Sequence, residues 1–262
     1  MASDIHLGPE SPATAAAFHG FLEQAVTQAD TLILAGDLFD AWIGDDVALR
    51  PEPWLRASLD AMQATAARIP LWLGRGNRDF LIGPGLLQQV GARALPEPAL
   101  LNTDTGLVLL AHGDQYCTAD AGYQRFRRLV RRPGVQRAYL ALPLRARQGI
   151  AAWARRRSMH SNQYKSREIM DVEPDAIAQA LREAGTAMLI HGHTHRPARH
   201  PLTVDGRDCE RLVLPDWDFD HGDTARGGWI TIDSTGVRLV LHGQEGFQQP
   251  APPGPDAGAA GR

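Results

Sequence analysis

The sequence predicts a layered α/β fold, for three reasons. Short apolar runs that stop at Gly, Asp, Asn or His recur along the chain: "TLILAGD" (31–37), "PLWLGRGN" (70–77), "LVLLAHGD" (107–114) and "AMLIHGH" (187–193). Each reads as a buried strand ending in polar residues. Between the first of them lie Ala-, Leu- and Gln-rich helical patterns at about 12–29 and 51–68, and strand–helix alternation builds layered α/β sheets. With 262 residues, the chain is long enough to give such a fold a substantial core.

The second half reads differently. "ERLVLPDW", "GGWITID" and "GVRLVLHG" are strands separated by turn residues, so an antiparallel or mixed sheet is expected there. Residues 121–165 break the rhythm, with many arginines, a single lysine and no acidic residue. Phe126, Leu129, Val130, Tyr139, Leu140, Leu142, Ile150 and Trp153 give this block an apolar side, and Pro133 and Pro143 divide it into short amphipathic helices. It reads as a helical insertion that caps the core. The Pro/Gly/Ala-rich stretch 246–262 is expected to be a disordered tail behind a domain spanning 1–245.

Composition narrows the function classes. Hydrophobic residues make up 44% and charged residues 22%, as in ordinary globular enzymes. The net charge of −3 gives no reason to expect a nucleic-acid partner. Cys117 and Cys209 are too few for a disulfide scaffold or a thiolate zinc site. No apolar run approaches the roughly 20 residues of a membrane-spanning helix, and the N-terminus lacks the pattern of a signal peptide. The expected location is the cytoplasm.

The strand ends hold the chemistry. In order they supply Asp4 and His6, Asp37 in "GDLFD", Asn77 in "GNRD", His112 in "HGD", and His193 and His195 in "GHTH". In open α/β sheets, functional groups gather beyond the carboxyl ends of the strands. Taken singly, Asp-x-His is noise, and "GD" and "GN" are more often turns. The two histidines of "GHTH" face one side of an extended segment. An ordered set of five at successive strand ends is what points to a site. Carboxylates, an amide oxygen and imidazoles without thiolates suit divalent ions such as Mn²⁺, Fe²⁺ or Zn²⁺. Seven candidates exceed what one tetrahedral ion takes and suffice for two, with Asp37 as the bridge. Two ions roughly 3.5–4 Å apart form a clamp for hydrolysis of a phosphate ester or anhydride.

This series resembles the calcineurin-like metallophosphoesterase superfamily, whose pattern is D-x-H, GD, GN[HR][DE], H and GHxH. The resemblance implies a central β-sandwich flanked by helices, with a dinuclear site at the strand ends. It implies Asp4, His6, Asp37 and His195 around one ion, and Asp37, Asn77, His112 and His193 around the other.

The longer motifs "GDLFDAWIGDD", "GNRDFLIG", "HGDQYCTADAGYQRFR", "KSREIMDV" and "LIHGHTHRPARH" are similar, within that superfamily, to the UDP-2,3-diacylglucosamine hydrolases of lipid A biosynthesis, from Asp4 to about residue 240. This similarity implies attack of metal-activated water on the α-phosphorus of UDP-2,3-diacylglucosamine. The products are UMP and 2,3-diacylglucosamine 1-phosphate, and Mn²⁺ is the expected metal. Asp37, Asn77 and Arg78 are the implied catalytic residues. Asn77, Arg78, Asp120, Tyr123, Ser158, Asn162, Lys165 and His193 are the implied substrate contacts. Arginine stays charged and cannot serve as the acid that many relatives place after the Asn, but it can clamp a phosphate oxygen.

The 121–165 block then reads as a lid whose apolar side takes acyl chains and whose arginines meet the pyrophosphate. It would also touch anionic lipids at the inner face of the bacterial inner membrane. Two alternatives stand beside this reading. One is a dinuclear phosphoesterase of soluble nucleotides; the other is a catalytically degenerate member.

The second alternative rests on the N-terminus, because only Met1, Ala2 and Ser3 precede Asp4. Members of the resembled family carry several apolar residues there, so the expectation is a start assigned too far downstream. A version extended upstream is then expected to be more stable and more active. The acidic stretch "LPDWDFDHGD" (214–223) departs from the family's "LGAW" or "LGDW", and Asp216 and Asp218 read as parts of a solvated turn. His191 shares strand parity with His193 and reads as a group behind the ligands. His19, His160 and His221 read as surface or structural.

Overall fold

The structure, a computed structural model, describes residues 1–163 and 171–244, without the side chains of 157–163. The tail assigned to 246–262 lies outside the described residues.

Three α/β units open the chain. Helix α1 (Pro12–Gln28) precedes strand β1 (Leu32–Leu34), α2 (Pro53–Ala66) leads to β2 (Leu71–Leu73), and α3 (Pro84–Val90) leads to β3 (Arg93–Ala94). The three strands pair in parallel in that order. Each helix opens on a proline, whose missing N–H and fixed φ suit the first turn. No acidic residue occupies the first turn of α1. Asp220, more than 200 residues away, supplies the charge instead. It accepts from the amides of Ala13 and Thr14 at 2.8 Å each and from Thr14 Oγ1 at 2.7 Å.

The first seven residues lie beside β1. Ala2 donates to the Ile33 carbonyl at 3.0 Å and accepts from Ala35 at 2.8 Å, while Met1 and Ile230 exchange backbone bonds on the other side. This segment therefore joins the β1–β3 sheet to the hairpin of β9 and β10 described below.

After β3 come the hairpin β4 (Ala99–Thr103) and β5 (Gly106–Ala111), then the cap helices α4 (Ala121–Val130), α5 (Pro133–Leu140) and α6 (Leu144–Gln163). Helix α7 (Pro174–Ala184), β6 (Met188–His191), β7 (Arg199–Val204) and β8 (Arg207–Val213) follow, and β9 (Gly228–Asp233) and β10 (Gly236–Leu241) close the described chain. Strands β4, β5, β6, β8 and β7 form a mixed sheet in that spatial order, with β5–β6 and β6–β8 parallel and the two outer pairs antiparallel.

Strand parity sorts the core into layers. Leu32, Leu34, Leu71 and Leu73 pack with α1, α2 and α3. Ala35, Val108, Leu110, Ile190, Leu212 and Ile230 fill the space between the sheets, joined by Ile33 and Trp72. Leu109, Ala111 and Leu189 pack against Ile177 and Leu181 of α7. Two sheets face each other with helices outside, the calcineurin-like sandwich that the resemblance implied. Each of these buried Leu and Ile side chains contributes about 1.5–3 kcal/mol. That packing is what holds short strands with polar ends in place.

Candidate metal centre and its cap

The backbone at the strand ends is unusual. Asp4, His6, Asp37, His193 and His195 have φ values of 54°, 54°, 50°, 66° and 54°, the left-handed region that L-residues avoid at a cost of about 1–3 kcal/mol each. Tertiary bonds impose it. Asp4 donates to the Gly36 carbonyl at 3.1 Å and His6 to the Asp37 carbonyl at 3.0 Å, while His193 N–H donates to the Asp4 carboxylate at 3.0 Å. The buried carboxylate of Asp79 gathers the amides of Leu38 and Gly76 at 2.7 Å each and that of Asp37 at 3.2 Å. Asp79 thereby ties the "GDL" and "GNRD" turns together. A Cβ on Gly36 would lie 2.6 Å from the Gly76 nitrogen, so both glycines are dictated by close approach.

These turns bring all seven strand-end side chains to one place. His195 Nε2 lies 3.4 Å from Asp4 and 3.3 Å from His6 Nε2. His112 Nε2 lies 3.7 Å from Asp37 and 3.1 Å from Asn77 Oδ1, and His193 Nδ1 sits 2.8 Å from the same amide oxygen. Asp4, His6 and His195 form one group whose donor atoms lie within 4.8 Å of one another; Asp4, Asp37 and His112 form a second. The two groups share Asp4, whereas the motif assigns the bridge to Asp37.

Electrostatics explain why this cluster suits cations. Burial, with the Asp79 and Asp4 carboxylates adding to it, pushes Asp37 up to about 7. Burial and neighbouring cations keep His6 neutral, and burial and His112 bring His193 down to about 4. Burial opposes charge on His112 too, but the carboxylates of Asp37, Asp4, Asp114 and Glu97 outweigh it and raise it to about 9. At Asp4, the His195 hydrogen bond and the nearby imidazoles overcome burial and hold the carboxyl well below its usual range. Carboxylates and imidazoles are thus crowded together out of water, and His6 Nδ1 is buried without a hydrogen-bond partner. A donor set of this kind fits divalent cations.

The family model described as calcineurin-like phosphoesterase matches residues 1–197. The chain belongs to the calcineurin-like phosphoesterase family. It is 58% identical over 238 residues to the UDP-2,3-diacylglucosamine hydrolase of Bordetella pertussis, covering 91% of this chain and 92% of that one. The hydrolases of the same name from Serratia proteamaculans and Pseudomonas aeruginosa are 43% and 40% identical, covering 91% and 90% of this chain and 96% and 95% of theirs.

In this phosphoesterase the helices of 121–163 are tied to the sandwich through α4 and through the first part of α6. Asp114, which the sequence reading passed over, is buried and accepts from Tyr123 Oη at 2.6 Å and Arg127 Nε at 2.7 Å. Arg131 reaches the same carboxylate at 3.5 Å and donates to the Gly76 carbonyl at 3.0 Å. Tyr123, expected at the substrate, has its hydroxyl committed to Asp114 and its ring stacked beside His193, with centroids 6.2 Å apart. Asp120 caps α4 by accepting from the Tyr123 amide at 3.0 Å. Arg147 is 2% exposed. It donates to the Ile43 carbonyl at 2.6 Å and the Leu142 carbonyl at 3.0 Å, and it pairs with Asp46. Arg78 donates to Asp40 at 2.7 Å, and the cap's Arg155 pairs with the same carboxylate. Ser158, Asn162 and His160 have side chains outside the described residues, and Lys165 lies outside them altogether.

The acidic stretch corrects an expectation. Asp216 is buried, not part of a solvated turn. It lies 3.6 Å from His195 Nδ1 and accepts from Arg226 Nε at 3.1 Å. Asp218 is half-buried and accepts from the His221 amide at 2.9 Å. The reason is long-range, since the Trp217 amide donates to the Asp4 carbonyl at 2.9 Å and draws the segment onto the site. His191 sits behind the cluster, its Nδ1 2.8 Å from the Gly192 carbonyl and its Nε2 3.3 Å from Arg211.

Proposed function

We propose that the protein hydrolyses the pyrophosphate bond of UDP-2,3-diacylglucosamine, releasing UMP and 2,3-diacylglucosamine 1-phosphate. The observation that carries this reading is the convergence of Asp4, His6, Asp37, Asn77, His112, His193 and His195 under an arginine-rich, apolar cap. The chain that does this is 58% identical to a hydrolase of that name.

Asp4, His6, Asp37 and His195 would hold one divalent ion, and Asp37, Asn77, His112 and His193 the other, with Mn²⁺ the preferred metal. When bound, such ions polarise phosphoryl oxygens and acidify water. The protein's own groups do the rest. Asp79 and the Arg78 amide, which donates to Asp37 at 2.8 Å, hold the central carboxylate in one orientation. The Arg78 guanidinium, parked on Asp40, is within reach of a phosphate at Asp37 and neutralises charge that develops there. Asn77 orients His112 and His193 through one oxygen. Exposed Phe126, Leu129, Ile150 and Trp153 on the cap offer the acyl chains an apolar surface. Among the described residues no helix is long and apolar enough to cross a membrane. The reading therefore places the protein in the cytoplasm, peripherally on the inner face of the inner membrane, through the basic, apolar cap.

The test is an assay of UDP-2,3-diacylglucosamine with Mn²⁺, with a chelator arm and with Asp37→Ala and His112→Ala beside the wild type. UMP release that is lost on chelation and in both variants is the expected result. Release from soluble nucleotides but not from the diacylated substrate would replace this reading with a soluble-nucleotide phosphoesterase.

A further inference from the structure

A cleft of about 430 Å³ opens beside His6 and His195, within the roughly 300–1,000 Å³ of small-molecule sites. One wall is the Gly8–Ser11 turn, the other the 216–226 segment, and Arg78 and Arg155 close the end beneath the cap. Both walls are built. The Gly8 amide donates to Ser11 Oγ at 2.9 Å. Asp220 clips the acidic segment to the start of α1, and Asp218 and Arg226 exchange two backbone bonds of 2.9 Å.

The cleft is lined by acidic, polar and basic side chains together, and the cap contributes Arg155 to it but none of its exposed apolar residues. Glu10, Ser11, Asp218 and His221 border it. A diacylated sugar nucleotide divides along the same line. Acyl chains require apolar surface, whereas ribose hydroxyls need acceptors and a base edge needs polar partners or a ring to rest on. Arg78 and Arg155 stand where the cleft meets the strand-end cluster, which is where the phosphates of such a substrate would join its two halves.

Resting on the function proposed above, we infer that this cleft is the subsite for the nucleoside monophosphate half of the substrate. Glu10 faces the ribose hydroxyls and His221 faces the base, while Asp218, held by the His221 amide and Arg226, stiffens the wall. The acidic departure from the family's motif thereby acquires a role as the wall of a nucleotide site.

The test uses the whole protein loaded with Mn²⁺ and compares wild type, Glu10→Ala and His221→Ala. Both side chains are exposed, so folding is not at stake. Inhibition constants are measured for UMP and for 2,3-diacylglucosamine 1-phosphate against turnover of the diacylated substrate. The UMP constant is expected to rise about 3–10-fold in each variant, the loss of about one hydrogen bond, with the lipid product's constant unchanged. An unchanged UMP constant, or an equal rise for both products, overturns the subsite while leaving the function standing. A wild type that releases no UMP overturns the function and the subsite together.

Discussion

Arg78 shows how one side chain can be judged by geometry. Its Nη1 is held by Asp40 at 2.7 Å and its Nε is 3.8 Å from Asp37, so the guanidinium spans Asp40 and the central carboxylate. Lysine would keep the charge but lose the planar fork. Arg78→Lys is therefore expected to lower kcat about 100-fold while leaving Mn²⁺ affinity unchanged. Steady-state kinetics beside a metal titration check this. Asp216 predicts the reverse pattern. Its carboxylate sits 3.6 Å from His195 Nδ1, and partners of that kind set the tautomer and angle of a ligand imidazole. Asp216→Asn is expected to weaken divalent-metal binding about 10–100-fold, read as metal content after dialysis against graded chelator.

At the scale of elements, the cap is anchored by a buried carboxylate, not left as a free flap. Removing one partner of a buried ion pair costs about 3–5 kcal/mol. Asp114→Asn is expected to reach the lower end of that range, because Arg127 and Arg131 are partly solvated. Thermal unfolding at neutral pH measures it, and limited proteolysis within 121–163 should speed up in parallel. The α1–α2 contact carries its own pH dependence. His19 lies 3.0 Å from Ser58 Oγ, and burial lowers its pKa below 6.5. A depressed pKa means that the folded state prefers the neutral ring, so this contribution is present above about pH 6.5 and lost as pH falls through the folded value. His19→Gln should remove that loss. The melting-temperature difference between wild type and variant is expected to move against the wild type from about pH 7 to pH 5.

At the scale of the whole molecule, the buried core between the sheets contrasts with the exposed apolar side chains of the 121–163 helices. Trp153 is 56% exposed, Phe126 and Leu129 are each 49% exposed, and α4 and α5 bury no residue at all. So much apolar surface on one insertion marks a contact site. Replacing both Phe126 and Trp153 by Ala is expected to cut turnover of the diacylated substrate by about tenfold or more and to spare a deacylated sugar nucleotide. Equal loss on both substrates would assign the cap a structural role only. Binding to vesicles containing anionic lipid, followed by co-sedimentation in low and high salt, tests the membrane contact. The bound fraction should fall as salt screens the arginines.

Much was legible in the linear pattern. Strand-end polar residues stand out because a buried apolar run stops abruptly, and their order survives folding because parallel strands present their ends to one edge. Helices over 121–163 were legible from composition, with their breaks at Pro133 and Pro143, although the last of them is a 20-residue helix and not a short one. What tertiary structure alone decided depends on partners far apart in the chain. Left-handed backbone at Asp4, His6, Asp37, His193 and His195 has no local signature. Asp79, Asp114 and Asp216 look like turn residues until the amides, arginines and imidazole they serve are brought beside them. Arg147, one basic residue among many in its block, proves to be a buried anchor only because Ile43 and Asp46 fold back to meet it. A sequence states which groups are present and how often they recur. Which of them lose their water, and to whom, is settled when the sheets close.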